Sequence, residues 1–429
     1  MNLPEDFIKS MRALLGSELD AFCSALGEVP ALALRTNPLR PPAAAEFVES
    51  SVPWAQGGWY LAPGARPGSS VAHHSGAFYV QEASAMMPAS ALAVRPGERV
   101  LDLCAAPGGK STQLAAALAG AGVLVANEPD LKRARMLYGN IERMGVPNAV
   151  VTNELPERLS ARWSEFFDAV LVDAPCSGEG MFRREPDARG EWTVGAPAGC
   201  ARRQAAILRE AARMVAPGGR LVYSTCTFNE IENEGVARAF LREHPEFMPR
   251  EYSLPGLGAS EGGMLRVWPH RARGDGQFAA LFVKAGASAR TDGFSGPDTA
   301  SRAAEARYLS EYPPLPAGSM PALRGDVLYA VPRLSPPANG RKVISPGLAL
   351  VRVFPNRLEP MHALAMADAR LPVLPLDEGA ARAYLRGEAV PCSGAGWIVA
   401  TFSDMPLGWG KASGGLLKNH LPKGLRRTR

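Results

Sequence analysis

Four short apolar stretches of the chain each end in residues that can bind a ligand or react with one. These residues are the glycine turn at 107–109, Glu128, Asp173 with Cys176, and Cys226. Apolar runs of this length are typical of the inner strands of a parallel sheet. Because the carboxyl ends of the strands form the ligand-binding edge of an open α/β sheet, the spacing predicts that all of these residues lie along one edge.

The segment 100–112 predicts a buried strand, a tight turn at Gly108 and Gly109, and the start of a helix. Glycine allows a sharp turn and lets a ligand approach the backbone, and the free N–H groups of a helix N-terminus attract negative charge. The turn is not a P-loop, because Cys104 stands where that motif requires glycine. It is not the G-x-G-x-x-G dinucleotide motif either, because its two glycines are adjacent. Taken alone, the turn is equally compatible with a structural strand–turn–helix junction.

The residues at the ends of the later strands together decide against a purely structural turn, and the first of these residues is Glu128. It follows the second predicted strand, somewhat more than ~20 residues beyond the glycine turn, where an acidic residue suits a pair of ribose hydroxyls.

Three sequence blocks resemble the signature motifs of the RNA 5-methylcytosine methyltransferases, the S-adenosylmethionine-dependent NOL1/NOP2/Sun group. They are Asp102-Leu-Cys-Ala-Ala-Pro-Gly-Gly-Lys110, Asp173-Ala-Pro-Cys-Ser-Gly178 and Ser224-Thr-Cys-Thr-Phe228. The combination of Pro-Cys and Thr-Cys is specific to this group. The resemblance is good over residues 75–285 and extends more weakly to both ends, where it points to the bacterial 16S rRNA methyltransferase branch.

The resemblance implies a cofactor, S-adenosylmethionine, and a set of residues that hold it. The expected cofactor-binding residues are Cys104, Ala105, Ala106, Pro107, Gly108, Gly109, Lys110, Glu128 on the ribose, and Asp173. The family often places an acid against the adenine ring after the third strand. Leu155 stands at that place here, with Asn153 and Glu154 beside it, so no residue is assigned to the adenine.

The resemblance also implies the catalytic residues Cys226, Cys176 and Asp173. Cys226 matches the Thr-Cys nucleophile, and Cys176 matches the Pro-Cys residue that assists release of the product. Addition of a thiolate to C6 of cytosine makes C5 able to attack a sulfonium methyl, and Asp173 is expected to hydrogen-bond the N3–N4 edge of the base. A single cysteine after a strand is usually a buried core residue, but two at one sheet edge favour chemistry. Cys23, Cys200 and Cys392 are interpreted as structural.

Composition excludes several classes of protein. A net charge of +5 over 429 residues permits nucleic-acid binding without demonstrating it. Six scattered cysteines without a C-x-x-C pair argue against a metal site. The N-terminus is acidic where a signal peptide would be basic, and no apolar run approaches the ~20 residues of a membrane span. We therefore expect a cytoplasmic protein with no membrane partner.

The predicted fold class is α/β, with a Rossmann-like doubly wound methyltransferase domain at 75–286. Met264–Trp268 and Gln277–Lys284 are expected to form an antiparallel hairpin at the edge of its sheet. The sequence pattern also predicts a small α+β unit at 1–74, a linker at 287–305 and a strand-rich domain at 306–429. The resemblance implies that the first of these units binds RNA and that the last is a PUA-like RNA-binding domain. In the basic tail, Lys418, Lys423, Arg426 and Arg427 are predicted to contact RNA phosphates, and the alternative is an ordinary solvated surface.

The resulting functional prediction is methylation of cytosine C5 in 16S rRNA or the small ribosomal subunit. One alternative is the same reaction on tRNA, and another is a non-catalytic RNA-binding assembly factor. The basic C-terminal region favours rRNA by analogy, and the presence of both Cys176 and Cys226 favours an active enzyme.

Overall fold

The computed structural model describes residues 3–287, 297–337 and 342–427. Within these ranges, no helix has the length and apolar composition needed to cross a bilayer.

The N-terminal unit combines a helical pair with a four-stranded antiparallel sheet of order β2-β3-β1-β4. Its elements are α1 (Glu5–Leu15), α2 (Leu19–Gly27), β1 (Ala33–Thr36), β2 (Val48–Ser51), β3 (Gly58–Leu61), α3 (Val71–His74) and β4 (Phe78–Val80). The apolar faces of α1 and α2 pack on the central domain, where Phe7 lies 5.1 Å from Phe182 and Phe22 lies 5.0 Å from Phe228, centroid to centroid. The helices therefore cover loops that follow the central strands.

The central domain is a doubly wound sheet, as predicted. Its elements are α4 (Met87–Leu92), β5 (Arg99–Asp102), α5 (Gly109–Leu118), β6 (Val123–Asn127), α6 (Leu131–Arg143), β7 (Ala149–Thr152), α7 (Pro156–Ser160), β8 (Phe167–Asp173), α8 (Pro186–Glu191), α9 (Ala196–Met214), β9 (Val215–Thr225), α10 (Glu234–Glu243), β10 (Phe247–Pro249), β11 (Ser253–Leu254), β12 (Gly258–Ala259), β13 (Met264–Val267) and β14 (Gln277–Lys284). Strands β9, β8, β5, β6 and β7 are adjacent in that order and parallel.

The strand order reverses beside β5, because the chain runs outward through β6 and β7 and then returns to β8 on the other side. This reversal opens a crevice at the carboxyl ends of β5 and β8, which is the usual ligand site of such sheets. Neighbouring residues of β5 face opposite sides: Val100 is buried in the core on one face and Leu101 in the core on the other. Burial on both faces explains why the predicted strands are continuous apolar runs.

The antiparallel hairpin predicted at the far edge of the sheet is confirmed. Strand β13 pairs with β14, which in turn pairs with β9, both antiparallel.

The C-terminal region contains two further sheets, with orders β15-β16-β18-β19 and β20-β22-β23-β24-β21. Its elements are α11 (Thr299–Leu309), β15 (Ser319–Arg324), β16 (Val327–Pro332), β17 (Val343–Ser345), β18 (Leu348–Val353), β19 (Leu358–Pro360), α12 (His362–Ala367), β20 (Val373–Pro375), α13 (Glu378–Leu385), β21 (Val390–Pro391), β22 (Gly396–Phe402), β23 (Met405–Ser413) and β24 (Leu416–Asn419). The prediction of a strand-rich C-terminus is confirmed.

Two features of this region differ from the sequence prediction. The last part of the predicted linker at 287–305 is helical, because α11 begins at Thr299, with the Asp298 side chain accepting a hydrogen bond from Ser301 N, and buries Ala304 and Tyr308. Residues 288–296 of that linker lie outside the described ranges. In addition, β17 belongs to neither C-terminal sheet. It pairs antiparallel with β7 and so extends the central sheet by one strand.

The basic tail has a structural role that the sequence did not indicate. Arg427 donates hydrogen bonds to the carbonyl of Ser69 at 2.6 Å and to the ring of His74, so it fastens the C-terminus to the N-terminal unit. Arg426 donates through Nε to the carbonyl of Leu421. Lys418 and Lys423 are exposed.

Candidate active site

The loop after β5 makes the predicted turn. Gly108 has φ +112°, in the left-handed region that favours glycine, and α5 begins at the next residue. A Cβ on Gly109 would lie 3.3 Å from both Tyr79 and Gln81 of the N-terminal unit, a close approach that favours glycine there. The turn is therefore fixed by backbone conformation at 108 and by packing at 109.

A cavity of about 260 Å³ lies over this turn at the crevice beside β5. The predicted residues that line it are Cys104, Ala105, Ala106, Pro107, Gly109, Lys110 and Asp173. Tyr79, Gln81 and Glu82 close the other side, so the N-terminal unit contributes a wall of the cavity. The structure thus brings the predicted loop and Asp173 together in one site.

Asp102, just before the loop, is a buried acid that sequence reasoning did not select. Ser111 Oγ donates to its Oδ2 at 2.7 Å, while Oδ1 has no hydrogen-bond partner among the described residues. Burial, and then the neighbouring charge of Asp173, raises the pKa of Asp102 to about 7. An orphaned carboxylate oxygen is suited to a ligand that carries a donor, such as the ammonium group of S-adenosylmethionine. The residues present therefore fit that cofactor.

Glu128 follows β6, as predicted, and is 4% exposed. Its Oε1 accepts a hydrogen bond from Asp130 N at 3.0 Å, and its Oε2 lies 3.4 Å from Arg133 Nη1. Asn153, which sequence reasoning noted without a role, donates through Nδ2 to the carbonyl oxygens of Glu128 and Pro129 at 2.9 and 2.8 Å. Asn153 thus fixes the backbone that carries the candidate ribose residue.

The three residues at the expected adenine position have different surroundings. Lys342, just before β17, accepts from Asn153 N at 2.8 Å through its carbonyl and donates through its own N–H to Glu154 Oε1 at 3.1 Å. The Glu154 carboxylate therefore already accepts a hydrogen bond from the C-terminal region. The neighbouring Leu155 is 52% exposed.

The side chains of the two predicted catalytic cysteines are in contact. Cys176 Sγ lies 3.3 Å from Cys226 Sγ, and both are free thiols. The hydrogen bond to Cys226, and then burial, raises the pKa of Cys176 well above its usual value. Burial likewise raises the pKa of Cys104 in the cofactor loop, as do the charges of Asp102 and Asp173. Cys176 and Cys104 therefore remain protonated near neutral pH.

Asp173 links the cofactor loop to the end of β9. Lys110 Nζ lies 2.7 Å from its Oδ2, and its Oδ1 accepts from Ser224 Oγ at 2.7 Å and from Gln277 Nε2 at 3.1 Å. Burial disfavours the charge on Lys110, but the attraction of Asp173 outweighs it and raises the pKa of Lys110. A cation is therefore held in the wall of the cavity by Asp173, at the end of β8.

No group of three or more metal-ligating side chains occurs in the described part of the chain.

Four consecutive segments match known protein families. Residues 3–83 match the N-terminal domain of 16S rRNA methyltransferase RsmF, and 89–283 match 16S rRNA methyltransferase RsmB/F. Residues 307–367 match the RsmF rRNA methyltransferase first C-terminal domain, and 371–427 match the methyltransferase RsmF PUA domain.

Individual relatives agree with this assignment. Ribosomal RNA small subunit methyltransferase F of Serratia proteamaculans is 32% identical to this chain, and the alignment covers 99% of this chain and 97% of that protein. The protein of the same name from Enterobacter sp. is 37% identical over 303 residues, but that alignment spans only 63% of its length. A solved structure, a methyltransferase homolog protein from Pyrococcus horikoshii, is 29% identical with a TM-score of 0.57 and covers 66% of this chain and 95% of that one. The chain belongs to the ribosomal RNA small subunit methyltransferase F family, and its cofactor is S-adenosylmethionine.

Proposed function

We propose that this protein methylates carbon 5 of a cytosine in 16S rRNA through a covalent bond between Cys226 Sγ and C6. The observation that carries the proposal is the pair of free thiols 3.3 Å apart at the ends of β8 and β9, next to the Asp173 that lines the cofactor cavity. A binding-only protein has no need for two free thiols in contact at the sheet edge, so this pair favours the catalytic alternative.

The reaction begins with addition of the Cys226 thiolate to C6, which moves the C5–C6 π electrons toward C5. S-adenosylmethionine supplies the methyl group as a sulfonium. Carbon 5 forms the new bond to the methyl carbon while the bond from that carbon to the sulfonium sulfur breaks. Asp173 accepts a hydrogen bond from the N4 amino group of the base, and this contact orients the ring.

Release of the product requires loss of the C5 proton and of the C6–sulfur bond. Because its pKa is raised, Cys176 enters the reaction as a thiol, and its sulfur lies in hydrogen-bond contact with that of Cys226. We propose that Cys176 gives its own proton to the departing Cys226 sulfur. Cys176 then accepts the proton that leaves C5. The C5–C6 double bond then re-forms and Cys176 ends as a thiol, while the Cys226 thiol loses its new proton to solvent before the next attack, so protons and electrons balance.

We infer that the C-terminal region contacts the RNA through a row of side chains across three strands, rather than through the tail arginines. Trp397, Lys411 and Lys418 are direct cross-strand neighbours on β22, β23 and β24, so they share one face. Lys411 Nζ lies 5.5 Å from the Trp397 ring centre, and both lysines are exposed. An aromatic ring that can stack on a base, beside lysines for phosphates, fits single-stranded RNA.

The test is methylation of 16S rRNA and of small subunits from a strain that lacks this protein, with labelled S-adenosylmethionine. We expect labelled 5-methylcytidine in 16S rRNA, at positions that bisulfite sequencing then maps. Label only in tRNA, or on an atom other than C5, would contradict the proposal.

A further inference from the structure

Two buried glutamates connect the loops that carry the cysteines. Glu232 is 0% exposed and Glu179 is 1% exposed, and neither forms an ion pair within the described part of the chain. A buried carboxylate without a cation is costly, and an apolar side chain of the same size would fill the space at less cost. Their positions therefore call for an explanation beyond packing.

Glu232 lies downstream of Cys226 but holds the loop of Cys176. Its Oε2 accepts from the backbone N of Ser177 at 2.9 Å and from Gln204 Nε2 at 2.8 Å. Its Oε1 accepts from Ser177 Oγ at 2.5 Å and from Asn229 Nδ2 at 2.8 Å. Because Ser177 directly follows Cys176, Glu232 holds the residue next to that thiol by two bonds, one from its backbone N–H and one from its hydroxyl.

Glu179 lies downstream of Cys176 but holds the loop of Cys226. Its Oε2 accepts from Thr227 Oγ1 at 2.7 Å, from Phe228 N at 2.8 Å and from Asn229 N at 3.0 Å. These are the three residues that follow Cys226. The backbone N of Gly180 also donates to the Cys226 carbonyl at 2.8 Å.

Each cysteine loop is thus held by a carboxylate from the other. We propose that Glu179 and Glu232 form a reciprocal clamp of positioning residues that sets the separation of the Cys176 and Cys226 sulfurs. Asn229 joins its two halves, since its Nδ2 donates to both carboxylates. The kinetic consequences of the clamp rest on the proposed covalent reaction, whereas its effect on the two thiols does not.

The two halves of the clamp have different kinetic consequences. Glu232→Gln frees the loop of Cys176, so attack and methyl transfer continue but release of the product is slowed, and a protein–RNA adduct accumulates. Glu179→Gln frees the loop of Cys226, so the attack itself is slowed and no adduct accumulates. Since a misplacement of ~1 Å can cost ~100-fold, we expect kcat to fall by about 10- to 100-fold in each variant, with the affinity for S-adenosylmethionine unchanged.

A trivalent arsenical provides a readout independent of methylation, because it binds tightly only where two thiols lie together. Phenylarsine oxide is titrated against the full-length protein, and free thiols are counted at each step. We expect one equivalent to block two thiols in the wild type, and affinity at least tenfold weaker in Glu179→Gln and Glu232→Gln. The variant Cys176→Ala should lose this tight binding, and that loss identifies the pair of thiols that the arsenical blocks. Glu230→Gln is the matched control, because Glu230 is an exposed carboxylate of the same segment.

Wild-type arsenical affinity in both folded glutamate variants would overturn the clamp. If a glutamate variant fails to fold, Ser177→Ala and Thr227→Val each remove one hydroxyl bond to the clamp and are scored by the same titration. Weakened arsenical binding in the variants of a protein that forms no 5-methylcytidine would support the clamp while rejecting the proposed function.

Discussion

At the scale of single residues, the site separates cofactor binding from chemistry according to the strand that each residue follows. The loop after β5 and Glu128 after β6 lie on one side of the crevice, and Cys176 and Cys226 follow β8 and β9 on the other. The Lys110–Asp173 pair, at 2.7 Å, bridges the two sides. Variants on one side should therefore change cofactor affinity without changing the cysteine chemistry.

We expect Glu128→Ala to weaken binding of S-adenosylmethionine by about 10- to 100-fold, because loss of a hydrogen bond to a charged group costs ~1.5–3 kcal/mol. Calorimetric titration measures this directly. Glu157→Ala removes an exposed carboxylate from the neighbouring α7 and should bind as the wild type does. Equal affinities for the two folded variants would rule out Glu128 as the ribose residue.

The sequence identified residues that end strands and missed buried acids that stabilise loops. Asp173, Cys176 and Cys226 stand within a few residues after apolar runs, so their place at the sheet edge could be inferred. Glu179 and Glu232 gave no local signal, because glutamate is normally exposed and their donors come from loops about 50 residues apart in the chain. The sequence likewise gave no sign that Asp102 is buried, because its burial results from packing in the folded protein.

At the scale of elements, β17 connects the C-terminal region to the cofactor side of the central sheet. It pairs with β7, and Lys342 beside it bonds to Asn153, which in turn holds the backbone of Glu128. The predicted strands of the central sheet are continuous apolar runs that are buried on both faces, whereas β17 has three residues and forms by pairing with the edge of β7. Helix α11 was missed because its Ala- and Arg-rich sequence has little apolar periodicity.

We expect Asn153→Ala to weaken cofactor binding by about 5- to 10-fold, because it removes two hydrogen bonds that hold the Glu128 segment, each worth ~1 kcal/mol or less in net terms. Asn148→Ala is the matched control, since it removes a buried amide that bonds to Gly122 at the opposite end of β7. Calorimetry on both variants makes the comparison, and equal cofactor affinity in the two would contradict a link through Asn153.

At the scale of the whole molecule, the N-terminal and C-terminal regions both contact the catalytic domain and each other. The N-terminal unit forms a wall of the cofactor cavity, and Arg427 ties the C-terminus to His74 of that unit. Removal of the basic tail would therefore disturb the fold, and deletion of 416–429 would also remove β24. Point substitutions on the exposed row are the better probe of RNA binding.

We expect the double variant Lys411→Gln, Lys418→Gln to bind 16S rRNA more weakly and with a salt dependence reduced by roughly two units of slope at most, since each phosphate contact contributes about 0.7–0.9. Filter binding over a salt series gives the slope. Arg386→Gln serves as the control, because Arg386 is exposed in the same region but its charge is paired with Glu388. An unchanged slope in the double variant would exclude this row as the phosphate contact.

The central claim is that Cys226 attacks the base and Cys176 completes the reaction, and denaturing electrophoresis of protein–RNA adducts tests it most directly. With S-adenosylmethionine and 16S rRNA, Cys176→Ala should methylate and then stall as an adduct that survives denaturation. Cys226→Ala and the double variant should give no adduct and no methylation. An adduct in Cys226→Ala with none in Cys176→Ala would show that the two roles are reversed, and no adduct in either variant, from folded protein that binds RNA, would contradict covalent catalysis.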